Sequence, residues 1–310
     1  MRTAFIDTLI ELAGDDPRVF LLTADLGWSV LERFADAFPD RFLNVGVAEQ
    51  NLAGVATGLA QVGYIPYIYS IANFVTMRCY EQIRNGPVLH RLPVRIIGVG
   101  GGFAYGHAGP SHHALEDLAI LRAQPGLTVI APADPAQTRT ALRATVGLPG
   151  PVYLRIGKGD NPEIPGLKGR FALHRPEVIR SGSDLLYLAT GAIAREAVRA
   201  AQIVRRGGLS AGVAVLAHLG FSAGEPLRAL LAQYPAVVTV EEGFTTGGLG
   251  ALVAETVAQA GLRCAVSSQG VRTSVAATSG SPGYLRAQCG LSADRLAWVG
   301  NTLAARQLVA

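Results

Sequence analysis

Residues 42–63 read FLNVGVAEQNLAGVATGLAQVG, and this stretch predicts a strand, a glycine-containing turn and a helix in direct succession. Residues 42–45 are typical of a short apolar strand, and small residues recur on one face of the helix predicted over 49–61. Glu49 is the only charged residue in the stretch, and it opens the helix. The first turn of a helix favours an anion, whereas a carboxyl in apolar surroundings can share a proton near neutral pH. Both roles stay open for Glu49 on these residues alone.

Apolar runs and amphipathic segments alternate along the rest of the chain, which is typical of α/β domains with mostly parallel sheets. Runs such as VFLLTA (19–24) have the composition of strands buried on both faces. The same pattern predicts helices at 3–13, 74–85, 113–123, 135–146, 192–207, 225–233, 247–260 and 292–306, and strands at 65–69, 94–99, 128–131, 152–156, 184–189, 210–216, 237–241 and 263–267. We therefore expect two doubly wound domains, over 1–160 and 181–310, joined by a Gly- and Pro-rich linker at 161–180.

The composition argues against several classes of protein. Charged residues make up 16% of the 310 residues, against about 25% in an average domain, and the net charge of +4 is scattered, so neither nucleic-acid nor membrane binding is indicated. Cys79, Cys264 and Cys289 are too widely spaced for a disulfide framework or a zinc site. Asp7 and Glu11 interrupt the N-terminal apolar pattern, so no signal peptide is expected. These features predict a cytoplasmic protein.

The segment GVAEQNLAGVATGLA (46–60) resembles the part of thiamine-diphosphate enzymes of the transketolase type that carries the cofactor-activating glutamate. Other segments are similar to that family in the same order: TADLGWS (23–29), YSIANFVTMRCYEQIRN (69–85), GHAGPSHHALEDLAILR (106–122), APADPAQ (131–137), PVYLRIGKG (151–159), ATGAIAREA (189–197), VTVEEGFTTGGLG (238–250) and SGSPGYLRAQCGLSADRL (279–296). Because the order holds over nearly the whole chain, the resemblance implies the pyrimidine-binding and C-terminal domains of a split transketolase.

The resemblance does not include the diphosphate-binding domain. No GDG motif with a downstream Asn occurs in the chain, and GKGDN at 157–161 lies in a different context. In the family that motif supplies the ligands of Mg²⁺, an ion that binds carboxylate and amide oxygens. The resemblance thus implies a partner, an N-terminal transketolase-like subunit with a GDG…N motif, in an α2β2 heterotetramer whose active sites form between chains. No metal ligand is expected in this chain itself.

The resemblance assigns the cofactor-binding residues. Glu49 would hydrogen-bond a ring nitrogen of the aminopyrimidine of thiamine diphosphate and favour its imino tautomer, while the carbanion chemistry belongs to the cofactor. Phe74 matches an aromatic residue that packs on the aminopyrimidine, although a core position is equally typical of a Phe in this pattern. Ile71 stands where many relatives carry a second aromatic residue, and Asp25, at the end of a predicted strand, is expected to line the cofactor site.

The loop from 106 to 113 is expected to face the substrate. His112 matches the substrate-facing histidine of the family, which hydrogen-bonds the donor's oxygens and can shuttle protons. His107 lies in the same loop, and a metal site formed by its histidines is disfavoured because no nearby Asp, Glu or Cys completes a set of ligands. Ala108 is a departure, since transketolases have an Asp there that contacts a substrate hydroxyl. Without that acceptor, the usual sugar-phosphate specificity is in doubt.

Basic residues outside this loop are further candidates for substrate binding. Arg155 and Lys158 match positions where relatives bind the substrate's phosphate or carboxylate, but a surface charge pair is the alternative. Arg78, on the helix predicted over 74–85, suits the substrate or the subunit interface equally well. Glu241 and Glu242 lie at the end of a predicted strand of the second domain, and we interpret them as structural.

The resemblance implies an enzyme subunit that transfers a two-carbon ketol unit from a ketose donor to an aldehyde acceptor, with a sugar or sugar phosphate as substrate. The alternative is a decarboxylating relative that acts on a 2-oxoacid, such as a deoxyxylulose-phosphate-synthase-like enzyme or a 2-oxoacid dehydrogenase β subunit. A third hypothesis is a non-catalytic subunit that only completes an assembly. The joint presence of Glu49, Phe74 and His112 argues against the third.

Overall fold

Two sheets with helices on their faces make up the chain, whose computed structural model describes residues 1–159, 161–221, 224–272 and 278–308. The strands of the first sheet are all parallel and lie in the spatial order β2-β1-β3-β4-β6-β5. Their bounds are β1 (Val19–Thr23), β2 (Phe42–Asn44), β3 (Ile65–Ile71), β4 (Arg95–Val99), β5 (Thr128–Ile130) and β6 (Val152–Ile156). The central strands are buried along their whole length, as the apolar runs predicted.

The helices of the first domain are α1 (Arg2–Asp15), α2 (Glu32–Ala37), α3 (Glu49–Gln61), α4 (Tyr80–Ile83), α5 (Asp117–Arg122) and α6 (Pro135–Thr145). The prediction of α3 over 49–61 is confirmed. The helix expected over 74–85 is instead irregular, because π-helical turns at Phe74–Arg78 and Arg84–Val88 flank α4. The helix expected from 113 begins at Asp117, since His113 has an extended backbone and Ala114 pairs with Gly102.

The second sheet has the order β11-β10-β8-β9-β7, and β7 alone among these described strands runs antiparallel to its neighbour. In chain order the elements are β7 (Glu177–Arg180), β8 (Leu185–Ala189), α7 (Ala194–Arg206), β9 (Ala211–Val215), α8 (Glu225–Leu231), β10 (Ala236–Phe244), α9 (Leu249–Gln259), β11 (Ala265–Val271), α10 (Pro282–Gln288) and α11 (Ala293–Leu308). The predicted fold class of two mostly parallel α/β domains is confirmed. The exact division at 161–180 stays a prediction.

Strand β7 lies inside the stretch that we expected to be a linker. Its first residue, Glu177, is buried and forms ion pairs with Arg170 and Arg175, so a charged side chain interrupts the apolar pattern of a buried strand. Helix α10 was also not predicted, although Ser281 caps it by accepting a hydrogen bond from the backbone N–H of Tyr284. None of the described helices is both long and apolar enough to cross a membrane.

A buried histidine lies between the two sheets. His218 forms an antiparallel bridge with Ile130 of β5, and its Nδ1 accepts a 3.0 Å hydrogen bond from the backbone N–H of His174. The two imidazole rings meet edge to face at 4.2 Å. Burial, together with the neighbouring His174, lowers the pKa of His218 to about 4. The folded protein therefore contains a neutral imidazole that the unfolded chain protonates below about pH 6.5.

We predict that the chain loses stability in acid through His218. Above about pH 6.5 the ring is neutral in both the folded and the unfolded chain, so the stability is fully present there. As the pH falls towards 4 the unfolded state binds the proton first, and the contribution of His218 to the free energy of unfolding should drop by about 3 kcal/mol. Urea denaturation from pH 7.5 to 4 measures this drop, which His218→Asn should remove. Equal pH slopes for the two proteins would contradict the assignment.

Candidate active site

The site predicted from the sequence lies beyond the carboxyl ends of β1, β3 and β4, where open α/β sheets place their ligands. Glu49 opens α3 on this face, and its side chain is only 3% exposed. Arg78 Nη1 lies 3.2 Å from both carboxylate oxygens of Glu49, and the hydroxyl of Ser70, at the end of β3, lies 3.4 Å from Oε1. A buried carboxylate needs such donors, because it has lost its water.

Phe74 and Arg78 lie one π-helical turn apart and form a second contact of the site. The guanidinium carbon of Arg78 stands 3.8 Å from the centre of the Phe74 ring, so the planar cation stacks on the ring while it pairs with Glu49. The Arg78 side chain is 48% exposed and can withdraw towards solvent. In this chain, therefore, a planar hydrogen-bond donor already lies between Glu49 and Phe74.

His112 lies on the other side of Phe74. Their ring centres are 5.1 Å apart at an interplanar angle of 61°. His112 Nδ1 lies 3.0 Å from the hydroxyl of Ser111, and the carbonyl of Ser111 accepts a 2.5 Å hydrogen bond from the side chain of Asn73. Within the described residues, Nε2 of His112 has no hydrogen-bond partner. This nitrogen can therefore meet a ligand.

Tyr105 extends the site towards Lys158. Its ring centre is 6.3 Å from that of His112, and Lys158 Nζ lies 4.2 Å from the centre of the Tyr105 ring. A continuous row of contacts thus connects six side chains, which we call the active row: Lys158, Tyr105, His112, Phe74, Arg78 and Glu49. Five of these were named from the sequence. Tyr105 was missed, although an aromatic residue inside a glycine-rich run was the available signal.

Four other candidates from the sequence lie outside the active row. Asp25 is exposed, has a positive φ of 56°, and exchanges hydrogen bonds of 2.9 and 3.1 Å with the side chain of Asn44. Ile71 is buried at the end of β3, and His107 is exposed in the loop. Their predicted contacts with cofactor or substrate stay predictions. The fourth candidate is Arg155.

Arg155 lies at the boundary of the two domains. It is 8% exposed, and its Nη2 donates to the carbonyls of Ala114 and Glu242 at 3.2 and 2.6 Å, while Nη1 is 3.5 Å from Asp117 Oδ1. These contacts are all with protein atoms. Arg78, the other arginine predicted to bind substrate, pairs with Glu49, and for both arginines substrate binding stays a prediction. For both residues, the sequence pattern indicated a cation but not the carboxylates and carbonyls that surround it.

The titratable groups near the active row differ in their surroundings. Burial lowers the pKa of His113, whose ring meets Phe103 edge to face at 5.1 Å, so this histidine favours its neutral form. Burial raises the pKa of the Cys79 thiol to about 12, with the Glu49 charge adding to the effect.

Among the described residues, no three His, Cys, Asp or Glu side chains are grouped so that they could hold a metal ion.

Comparison with known proteins identifies both halves of the chain. Residues 1–163 match the transketolase pyrimidine-binding domain, and residues 175–296 match the transketolase C-terminal domain. The chain is 36% identical to a putative transketolase C-terminal section of Methanocaldococcus jannaschii, over 96% of this chain and 94% of that protein. It is 35% identical to an apulose-4-phosphate transketolase subunit of Phocaeicola vulgatus, over 83% of each.

The chain is also similar to a solved structure and to a synthase. A split gene transketolase described as an inactive β4 tetramer has 36% identity, covers 98% of both chains and superposes with a TM-score of 0.87. The 1-deoxy-D-xylulose-5-phosphate synthase of Heliobacterium modesticaldum is 32% identical over 97% of this chain but only 46% of its own length. The chain therefore matches split subunits along most or nearly all of their length and the synthase along about half.

We predict that the Glu49–Arg78 pair stabilises the isolated chain, because loss of Arg78 leaves the buried carboxylate with the weak donor Ser70 as its one partner among the described residues. Arg78→Met should lower the free energy of unfolding by about 1–2 kcal/mol, a modest value because Arg78 is half exposed. In a double-mutant cycle by urea denaturation, Arg78→Met should cost much less in the Glu49→Gln background. Equal costs in both backgrounds would show that the two side chains are not coupled.

Proposed function

Because the chain belongs to the transketolase family, as the subunit with the pyrimidine-binding and C-terminal domains of a split transketolase, we propose that it helps to transfer a two-carbon ketol unit from a ketose donor to an aldehyde acceptor. The observation that carries the proposal is the active row, in which a buried glutamate, an aromatic face and a histidine whose Nε2 has no hydrogen-bond partner among the described residues follow one another. That sequence of groups suits a cofactor next to a substrate.

The family implies thiamine diphosphate and a divalent metal ion, and the residues present fit the pyrimidine end of that cofactor. The planar Arg78 guanidinium lies over Phe74 and hydrogen-bonds to Glu49, the two side chains that an aminopyrimidine ring would have to contact. Arg78 must therefore withdraw when the ring binds. When bound, thiamine diphosphate supplies the nucleophilic carbon that accepts the two-carbon unit.

Glu49 and His112 have separate tasks in this proposal. A proton shared between Glu49 and a ring nitrogen of the cofactor would join the two in a hydrogen bond, and the burial of Glu49 would strengthen that bond because little water competes for the carboxyl group. His112 exchanges a proton through Nε2 with the oxygens of the substrate, while the Ser111 hydroxyl on Nδ1 orients the ring. Phe74 separates the two polar groups and contacts both the Arg78 guanidinium and the His112 ring.

Lys158 gives the far end of the active row a positive charge that suits an anionic substrate. One relative is named for apulose 4-phosphate, so we propose a sugar or sugar phosphate as the substrate class. Ala108, in the turn Gly106–Ala108, offers no side-chain acceptor to a substrate hydroxyl. The enzyme should therefore discriminate less among hydroxylated aldehydes than one with an Asp there.

The Mg²⁺ and diphosphate ligands are proposed to come from an N-terminal partner with a GDG…N motif, because this sequence lacks that motif. Membership of the family supports a partner subunit and an oligomer, and we propose an α2β2 assembly.

We also propose the domain division at 161–180, which overlaps the gap between the two matched family domains.

A decarboxylating enzyme acting on a 2-oxoacid is the second candidate, favoured by Ala108 and by the similarity to the synthase. Production of carbon dioxide from pyruvate by the assembled enzyme, without ketol transfer from a ketose, would identify this alternative. The comparisons favour the first candidate, because the split transketolase subunits match along most or nearly all of their length.

We predict that Glu49→Gln in the assembled enzyme lowers kcat by about 10²–10⁴-fold, since the amide cannot share a proton with the cofactor as the carboxylate does. Ketol transfer from a ketose to an aldehyde measures the loss, and size-exclusion chromatography should show unchanged association with the partner. Glu11→Gln is the matched control, because Glu11 is also paired with an arginine, Arg143, but lies on the surface.

Wild-type turnover in Glu49→Gln would refute the catalytic role of Glu49. Loss of assembly in place of turnover would assign Glu49 to the subunit interface.

A further inference from the structure

The loop that carries Tyr105 and His112 is closed at its base by the backbone. Gly102 and Ala114 exchange two hydrogen bonds, N–H to carbonyl, of 2.8 and 3.0 Å. On the side of the first domain, Asn73 holds the loop by donating to the carbonyl of Ser111. We call residues 102–114 the histidine loop.

The other side of the histidine loop is held by the second domain. Glu242, in β10, accepts a 2.8 Å hydrogen bond on Oε1 from the backbone N–H of Phe103. The N–H of Gly280 donates to the carbonyl of Gly106 at 3.1 Å. Just beyond the loop, the N–H of Phe244 donates to the carbonyl of Leu115 at 2.9 Å. The second domain thus contacts the start, the middle and the end of this segment.

Glu242 is itself fixed by charged neighbours. Its side chain is 12% exposed, and Oε2 lies 3.4 Å from Nε of Arg286 in α10. Arg155 Nη2 donates both to the backbone carbonyl of Glu242 and to that of Ala114 at the base of the loop. With a cation beside it and little water around it, the carboxylate forms a stronger hydrogen bond to Phe103 than an exposed group would.

Apolar side chains also pack across the boundary between the two domains. Phe103 and Leu115 from the ends of the segment are buried with Val271 and Leu285 from the second domain in a separate small core. Two glycines of the histidine loop allow the second domain to lie this close to the loop backbone. A Cβ on Gly102, whose φ is +65°, would lie 2.5 Å from Cγ of Glu242, and a Cβ on Gly106 would lie 2.5 Å from the carbonyl oxygen of Gly280.

We infer that the second domain takes part in catalysis by positioning the histidine loop, with Glu242 as the positioning residue. Its hydrogen bond to Phe103 fixes the first turn of the loop, and Asn73 fixes the end, so that His112 stays against Phe74. The interpretation of Glu242 as merely structural is thereby replaced. The link to catalysis rests on the proposed function, because it takes His112 as the substrate-facing group.

The positioning itself is tested in the isolated chain, without any activity. Hydrogen–deuterium exchange followed by mass spectrometry reports on peptides within residues 100–116. Glu242→Ala should speed exchange of the amides of the histidine loop by about 10-fold or more, and Glu242→Gln, which keeps an acceptor, should restore most of the protection. Arg286→Gln provides a second variant that weakens the support of Glu242 without altering an acceptor of the loop.

Glu255→Ala is the matched control. Glu255 also crosses the domain boundary, where it pairs with Arg122 at 2.8 Å, but none of its described polar contacts is with the histidine loop. Its loss should leave exchange of the loop unchanged. Unchanged exchange in Glu242→Ala as well would overturn the inference.

The catalytic part is tested in the assembled enzyme. Glu242→Ala should lower kcat/KM for the ketose donor by about 10-fold or more, with an unchanged Kd for thiamine diphosphate and partial rescue by Glu242→Gln. Equal loss of cofactor affinity and activity would show a merely structural role and overturn the inference, as would faster exchange with wild-type kinetics. If the wild-type assembly shows no ketol transfer, the proposed function fails, whereas the exchange experiment still decides whether Glu242 holds the loop.

Discussion

The active row depends on one constraint. The carboxylate of Glu49, at the start of α3, is almost completely buried. Because Glu49 is buried, the fold must provide it with a donor, and the π-helical turn at Phe74–Arg78 brings a guanidinium to it. The same turn presents the Phe74 ring beneath the guanidinium. In our proposal a planar ligand takes the place of the arginine, and a proton shared between its ring nitrogen and Glu49 takes the place of the ion pair.

The remaining residues of the site follow on the other side of Phe74. His112 is held against Phe74 by contacts from both domains, and Lys158 lies beyond Tyr105 at the charged end of the active row. This chain thus provides an aromatic face, a buried acceptor and a histidine. The oxygen ligands that a magnesium diphosphate needs are expected in the partner. Such a division explains how a subunit can be fully folded and still hold half of an active site.

The sequence predicts the regular elements well, because continuous apolar runs determine the buried parallel strands and the period of small residues determines α3. The prediction fails where a charged residue is buried and its partners cannot be read from the sequence. Glu177 conceals β7, because a glutamate paired with Arg170 and Arg175 interrupts the apolar pattern of a buried strand. The sequence also gives no sign that carbonyls of both domains contact Arg155, whose binding of substrate stays a prediction. The candidates Glu49, Phe74 and His112 do lie together. The distances between these residues, and the position of Arg78 between Glu49 and Phe74, depend on tertiary packing. Local sequence patterns do not reveal such packing.

The central claim is that this chain holds one half of a shared site for thiamine diphosphate. Calorimetric titration of thiamine diphosphate with Mg²⁺ tests it most directly, first into the chain alone and then into the chain mixed with its GDG-bearing partner. We expect tight, metal-dependent binding in the mixture and none to either chain alone. Tight, Mg²⁺-dependent binding to this chain alone would contradict the claim, because the diphosphate would then have a site within these two domains.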